Sequence, residues 1–123
     1  MTSERPRVLV VDDHPLVRDR IAAGLSHVCD VVGSVGDGRA ALAAVEALKP
    51  SVVVLDLSLP GMSGLDIATH LRQAGSRVRI VFLSAYDDDE LERAALTAGG
   101  NAYVVKSRLQ DLAAAVLGRG DAG

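Results

Sequence analysis

The sequence has 123 residues, 49% of them apolar and 24% charged, with a formal net charge of −3; that is the size and balance of one globular domain and excludes a disordered chain. A single cysteine, Cys29, excludes an intrachain disulfide and fits a reducing compartment, while the apolar runs are far too short to span a bilayer. Scattered basic residues, the acidic balance and the absence of tryptophan argue against direct nucleic-acid binding by this chain.

Arg7–Val11 is a β-branched run between Pro6 and Asp12 and predicts a buried strand. Pro15 opens a helix, along which Val17, Ile21, Leu25 and Val28 recur at helical spacing. Val31–Val35, interrupted by Gly33, predicts a second and weaker strand. Gly38–Leu48 predicts a helix with Leu42, Val45 and Leu48 on one face, stopped by Pro50. Val52–Leu55 is apolar at every position, as a central parallel strand is. After the loop 59–64, a helix is expected over about 64–74, with Ile67 and Leu71 inward and Gly75 at its end. Arg79–Leu83 predicts a fourth strand. Asp87–Ala98 predicts a helix whose acidic first turn suits the helix dipole. Ala102–Val105 and Leu109–Leu117 predict the fifth strand and fifth helix, and 119–123 reads as a linker or disordered end after a domain over 1–118.

Five strand–helix units in alternation predict an α/β fold, a doubly wound parallel sheet with helices on both faces. The first, third and fourth strands are the most apolar and belong inside; the second belongs at an edge. The flavodoxin-like (βα)5 order 2-1-3-4-5 satisfies both conditions. Ligands of such sheets bind beyond the carboxyl ends of the strands, where the order reverses. Asp12 and Asp13 follow the first strand, Asp56 the third, Ser84 the fourth and Lys106 the fifth.

Three carboxylates in one crevice raise each other's pKa, and a hard divalent cation relieves the conflict. Mg²⁺ takes oxygen from one or two carboxylates, from waters and often from a phosphate. With Lys106 on the other flank, the set lacks one anion, and a phosphoryl group on Asp56, held as an aspartyl-phosphate, completes it. Each residue alone has a plainer reading: paired aspartates cap helices, Asp56 and Ser84 end strands in turns, and Lys106 sits exposed. Their joint occurrence beyond four different strands is what singles them out. His14, beside the acidic pair, reads first as a helix-start residue and second as a metal ligand. His27 and His70 are placed on helices without metal-ligand spacing, Cys29 in the core, and Asp87–Glu90 at a helix start.

The segments VLVVDDHPLVR (8–18), VVVLDLSLPGMSGLD (52–66), VFLSAYDD (81–88) and AYVVKS (102–107) resemble the receiver domain of bacterial two-component response regulators. The opening is most similar to the NarL/LuxR type, whose receivers precede a helix-turn-helix domain. The resemblance implies Asp56 as phosphoacceptor, and Asp13, Asp12, Asp56 and the Ser58 carbonyl as holders of Mg²⁺. It implies Lys106 as partner of the phosphoryl oxygens, with Ser84 and Tyr103 as a coupled switch. It also implies a cytoplasmic signalling domain rather than an enzyme, served by a sensor histidine kinase. A homodimer is compatible with it, membrane contact is not expected, and DNA is reached only through an output domain absent from this chain. The sequence departs from many receivers at Ser107, where proline is common, and carries Ser58 and Tyr86 beside the pocket. A stand-alone regulator or a phosphorylation-independent module is the alternative. A phosphohydrolase would need an acid/base aspartate where Ser58 stands, and a flavodoxin a glycine-rich phosphate loop where Asp12-Asp13-His14-Pro15 stands.

Overall fold

Successive side chains of a strand point to opposite faces of its sheet, and in β1 (Arg7–Val11), β3 (Val52–Asp56) and β4 (Arg79–Ser84) both sets are apolar. Val8, Val10, Val54 and Leu83 enter one core cluster, while Leu9, Val11, Leu55 and Phe82 enter a second on the other face. Each fully buried side chain of this size contributes about 2 kcal/mol, so both faces must be covered. In the computed structural model, which describes residues 5–118, helices cover both. α1 (Pro15–Leu25) and α5 (Leu112–Val116) close the first face through Ile21, Leu25, Leu112 and Val116. α2 (Gly38–Leu48), α3 (Gly64–Gln73) and α4 (Asp89–Thr97) close the second through Ala41, Ile67, Leu71 and Ala95.

With β2 (Asp30–Val35) and β5 (Ala102–Val105) at the edges, the five strands run parallel in the order β2-β1-β3-β4-β5, as the apolar ranking predicts. The weakness of β2 has a local cause. Val8 pairs with Val31 but Leu9 with Gly33, so the ladder skips a residue. A Cβ on Gly33 would lie 2.9 Å from Leu48 Cδ1 and 3.0 Å from Leu9 Cδ1, and glycine fits that gap. Among the described residues no helix is long and apolar enough to cross a membrane. The linker expected at 119–123 lies outside the described residues.

Several boundaries differ from the sequence expectation. α1 ends at Leu25, and the amides of Val28 and Cys29 fold back onto the Leu25 carbonyl, so Val28 and His27 lie beyond the helix. Cys29 is buried in the first cluster, and burial raises its thiol pKa. α4 starts at Asp89 because the Asp88 carboxylate accepts the amides of Glu90 and Leu91, making Asp88 the cap. The expected helix 109–117 is split. A 3-10 turn spans Lys106–Asp111, with Arg108 at φ −124° and ψ 49°, before five residues of α5. Leu109, Leu112 and Val116 satisfy spacings of three and four, which suit both helix types.

The loop from β3 into α3 is the most firmly built connection at the carboxyl end. Ser63 and Asp66 form a reciprocal capping box, and the Gly64 amide donates to the Leu57 carbonyl at 2.9 Å. A Cβ on Gly64 would stand 2.4 Å from the Asp56 carbonyl oxygen and 2.9 Å from Leu57 Cα, both backbone atoms that cannot yield cheaply. Gly64→Ala is therefore expected to lower the stability by about 1–3 kcal/mol, the usual range for overpacking. Urea unfolding checks this, with Gly61→Ala as a comparison whose cost comes from its φ of 80° rather than from a clash.

Candidate functional site

The chain leaves β1 toward β2 on one side, while β3 lies on the other, so a crevice opens beyond the carboxyl ends of β1 and β3. Asp12, Asp56 and Ser84 are the buried polar residues among those described, at 0%, 2% and 2% exposure, and all three stand at this end of the sheet. Lys106 reaches in from the residue after β5. Its Nζ lies 2.9 Å from Asp12 Oδ2 and 3.0 Å from Asp56 Oδ2. Each carboxylate is also fixed from its own chain. The His14 amide donates to Asp12 Oδ1 at 2.9 Å and the Ser58 amide to Asp56 Oδ1 at 3.0 Å. These side-chain-to-backbone turns are local to each strand end and orient the carboxylates independently of Lys106.

The two carboxylates are not equivalent. Burial pushes the Asp56 pKa up, and the bonds from Ser58 and Lys106 only partly oppose it; the neighbouring Asp12 adds to the rise. Burial acts on Asp12 too, but the His14 amide and the Lys106 ammonium outweigh it and hold its pKa down. Lys106 is pulled down by burial and raised more strongly by its two anionic partners, so it stays charged. The site thus carries a permanent ion pair, Asp12–Lys106, beside a second carboxylate that the environment tolerates less well.

Asp13 stands beside this pair with a side chain 32% exposed. Its Oδ1 and Asp12 Oδ2 are both buried and receive no well-aligned hydrogen bond, although the latter sits in the ion pair with Lys106. Carboxylate oxygens of two adjacent residues gathered in one crevice suit a hard divalent cation. The residues present therefore fit a Mg²⁺ site.

Ser84 lies one residue beyond Leu83, the cross-strand neighbour of Asp56. Its hydroxyl accepts the Tyr86 amide at 3.0 Å. Tyr103 is half-buried against the second core cluster, and its hydroxyl donates to the Tyr86 carbonyl at 2.6 Å. Both residues singled out in the sequence as a switch thus bind one loop residue, Tyr86. Ser58 is exposed, with its amide on Asp56. Asp87 pairs with Arg108 at 3.2 Å, joining the loops that follow β4 and β5.

Sequence reasoning missed Arg18. Its guanidinium donates to the Asp12 carbonyl at 2.7 Å and fills the space beside Gly36, where a Cβ would lie 2.8 Å away. Nothing distinguishes this arginine from the exposed ones in the sequence. The one signal is that it stands a helical turn after His14, on the first turns of the helix that leaves the acidic pair.

The sequence profile of the response regulator receiver domain matches residues 8–117. The chain is 42% identical over 99 residues to the "Probable transcriptional regulatory protein TcrX" of Mycobacterium tuberculosis, covering 80% of this chain and 42% of that protein. It is 38% identical over 117 residues to the "Probable transcriptional regulatory protein NarL" of the same species, covering 93% of this chain and 54% of that protein. The chain thus spans about half the length of the curated relatives it matches. The solved signal receiver domain of NarL from M. tuberculosis superposes with a TM-score of 0.88 at 35% identity, over 94% of this chain and 96% of that one.

Two stability measurements check the charge balance. Asp56 is protonated more readily when folded than when unfolded, so its contribution weakens as pH rises from the ordinary carboxylate value of 3.8 to the raised folded value. Asp56→Asn should therefore raise the thermal midpoint at neutral pH and flatten its fall over that window. Lys106→Met leaves two buried carboxylates without their cation and is expected to cost about 3 kcal/mol at neutral pH. Adding Asp56→Asn to Lys106→Met should restore much of that loss, a coupling read directly from a double-mutant cycle.

Proposed function

The chain belongs to the response regulator receiver family, and on that premise we propose that it accepts a phosphoryl group on Asp56 from a sensor histidine kinase and so switches a surface read by an output domain. The observation that carries the reading is the position of Lys106 Nζ, 3.0 Å from Asp56 Oδ2 and 2.9 Å from Asp12 Oδ2. An ammonium held there by a second, permanently ionised carboxylate is in place to bind phosphoryl oxygens without having to be recruited.

Asp56 attacks phosphorus with a carboxylate oxygen, the bond from phosphorus to the donor imidazole breaks, and an aspartyl-phosphate remains. Burial makes the carboxylate more basic than an exposed aspartate, which favours it as a nucleophile. The Ser58 amide fixes one of its oxygens. Asp12, Asp13, Asp56 and the Ser58 carbonyl would hold Mg²⁺, which when bound supplies charge that offsets the phosphoryl oxygens. The Ser84 hydroxyl leaves the Tyr86 amide for the phosphoryl group, and Tyr103 responds through its own bond to Tyr86. That both side chains bind the same residue supports treating them as one switch.

We assign the domain to residues 1–118. The output we propose is a helix-turn-helix domain that controls transcription and is not in this chain; a stand-alone regulator is the alternative. The share of each regulatory relative that the chain spans supports this organisation.

Incubation with acetyl phosphate and Mg²⁺, read by intact mass, should show a gain of one phosphoryl group. Asp56→Ala or a chelator should abolish it. An adduct that survives in Asp56→Ala would overturn the assignment, as would the absence of both an adduct and a Mg²⁺-dependent response to beryllofluoride at Tyr103.

A further inference from the structure

His14 is the residue that precedes the first turn of α1, yet its imidazole makes no capping bond to the helix. The ring turns back instead. Nδ1 lies 3.0 Å from Asp13 Oδ1 and 3.3 Å from Asp12 Oδ1. Asp12, Asp13 and His14 each offer a ligand atom within 4.8 Å of the others, and among the described residues no other group of histidine, cysteine and acidic side chains does so. Asp12 is fully buried, its Oδ2 facing Lys106, while the Oδ1 of Asp13 faces the His14 ring. The imidazole side chain is 66% exposed, so the ring has room to move onto an ion.

Building on the divalent-cation site of the proposed function, we infer that His14 is a further ligand of that site and sets which metal it prefers. Mg²⁺ keeps to oxygen ligands and sheds its waters reluctantly, so it gains little from an imidazole. Ni²⁺ and Zn²⁺ bind imidazole nitrogen well. A pocket of carboxylate and carbonyl oxygens serves Mg²⁺; adding the Nδ1 of His14 gives a mixed oxygen and nitrogen set that a borderline ion uses fully. Ni²⁺ outranks Mg²⁺ at almost any such site, so the inference concerns the share of that preference which His14 contributes.

Isothermal titration calorimetry of the 123-residue chain tests it, with Mg²⁺ and Ni²⁺ as the probes. His27→Gln and His70→Gln are present throughout, because they remove the other two of the three histidines as adventitious Ni²⁺ ligands. His14→Ala is expected to weaken Ni²⁺ binding by about tenfold or more, while Mg²⁺ binding stays within about twofold. Circular dichroism confirms that this exposed substitution leaves the fold intact. Unchanged Ni²⁺ affinity in His14→Ala would overturn the inference. An equal loss for both ions would also overturn it, by assigning the ring to holding Asp13 rather than to the metal. Failure of the cation site itself has a separate signature: no Mg²⁺ binding with His14 in place, or Mg²⁺ binding unaffected by Asp13→Asn.

Discussion

One ammonium group shared between two buried carboxylates holds the carboxyl end of this sheet together. Asp12 and Asp56 are almost wholly removed from water, and two such anions side by side would drive one another toward the neutral form. Lys106, placed within 3.0 Å of both, resolves the conflict unequally. It keeps Asp12 ionised and leaves Asp56 only partly compensated. Each aspartate also accepts an amide from the residue two places on; the inequality arises because Asp12 has the His14 ring beside it as well, while Asp56 is raised further by the neighbouring Asp12 charge. A pocket arranged this way sets one cation against two carboxylates in unequal surroundings, Asp12 lowered and Asp56 raised in pKa.

The sheet supplies the distances. β1, β3 and β4 are apolar on both faces, so helices must lie on each side, and the strands are held in register by two cores rather than one. Parallel strands then deliver their last residues to one edge of the molecule. Asp12, Asp56, Ser84 and Lys106 come from four strands and from positions scattered over most of the chain, yet they meet because each is the first polar residue after an apolar run or the last residue of one. Polar side chains at those points leave the apolar rows of the two cores unbroken.

How much of this was legible in the sequence follows from what each feature depends on. Strand order was legible because it rests on total apolarity, which Val52–Leu55 and Ile80–Leu83 display and Asp30–Val35 does not. The pocket residues were legible because strand ends can be counted. The division of Lys106–Asp111 from α5 was not, because Leu109, Leu112 and Val116 satisfy two helical geometries and the distinction lies in the single backbone angle pair of Arg108. Helix starts were misplaced where a carboxylate such as that of Asp88 caps the turn instead of joining it. Arg18 was invisible because its partner is a backbone carbonyl, which leaves no trace in residue type. Ser84 and Tyr103 could be named as a pair, but their common attachment to Tyr86 needed coordinates.

The two loops flanking Asp56 differ in stiffness. On the α3 side, the capping box, the Gly64 amide bond and the backbone-to-backbone contact at Gly64 leave no slack. On the β4–α4 side, the Tyr86 segment is moored by a hydroxyl on each flank and by an exposed ion pair between Asp87 and Arg108, all of which can be exchanged for water or for another partner. A load applied between such supports displaces the compliant one. The mounting of Asp56 is therefore lopsided: backbone bonds and a capping box fix it on the α3 side, and exchangeable polar bonds hold it on the side of β5 and the turn that carries Lys106.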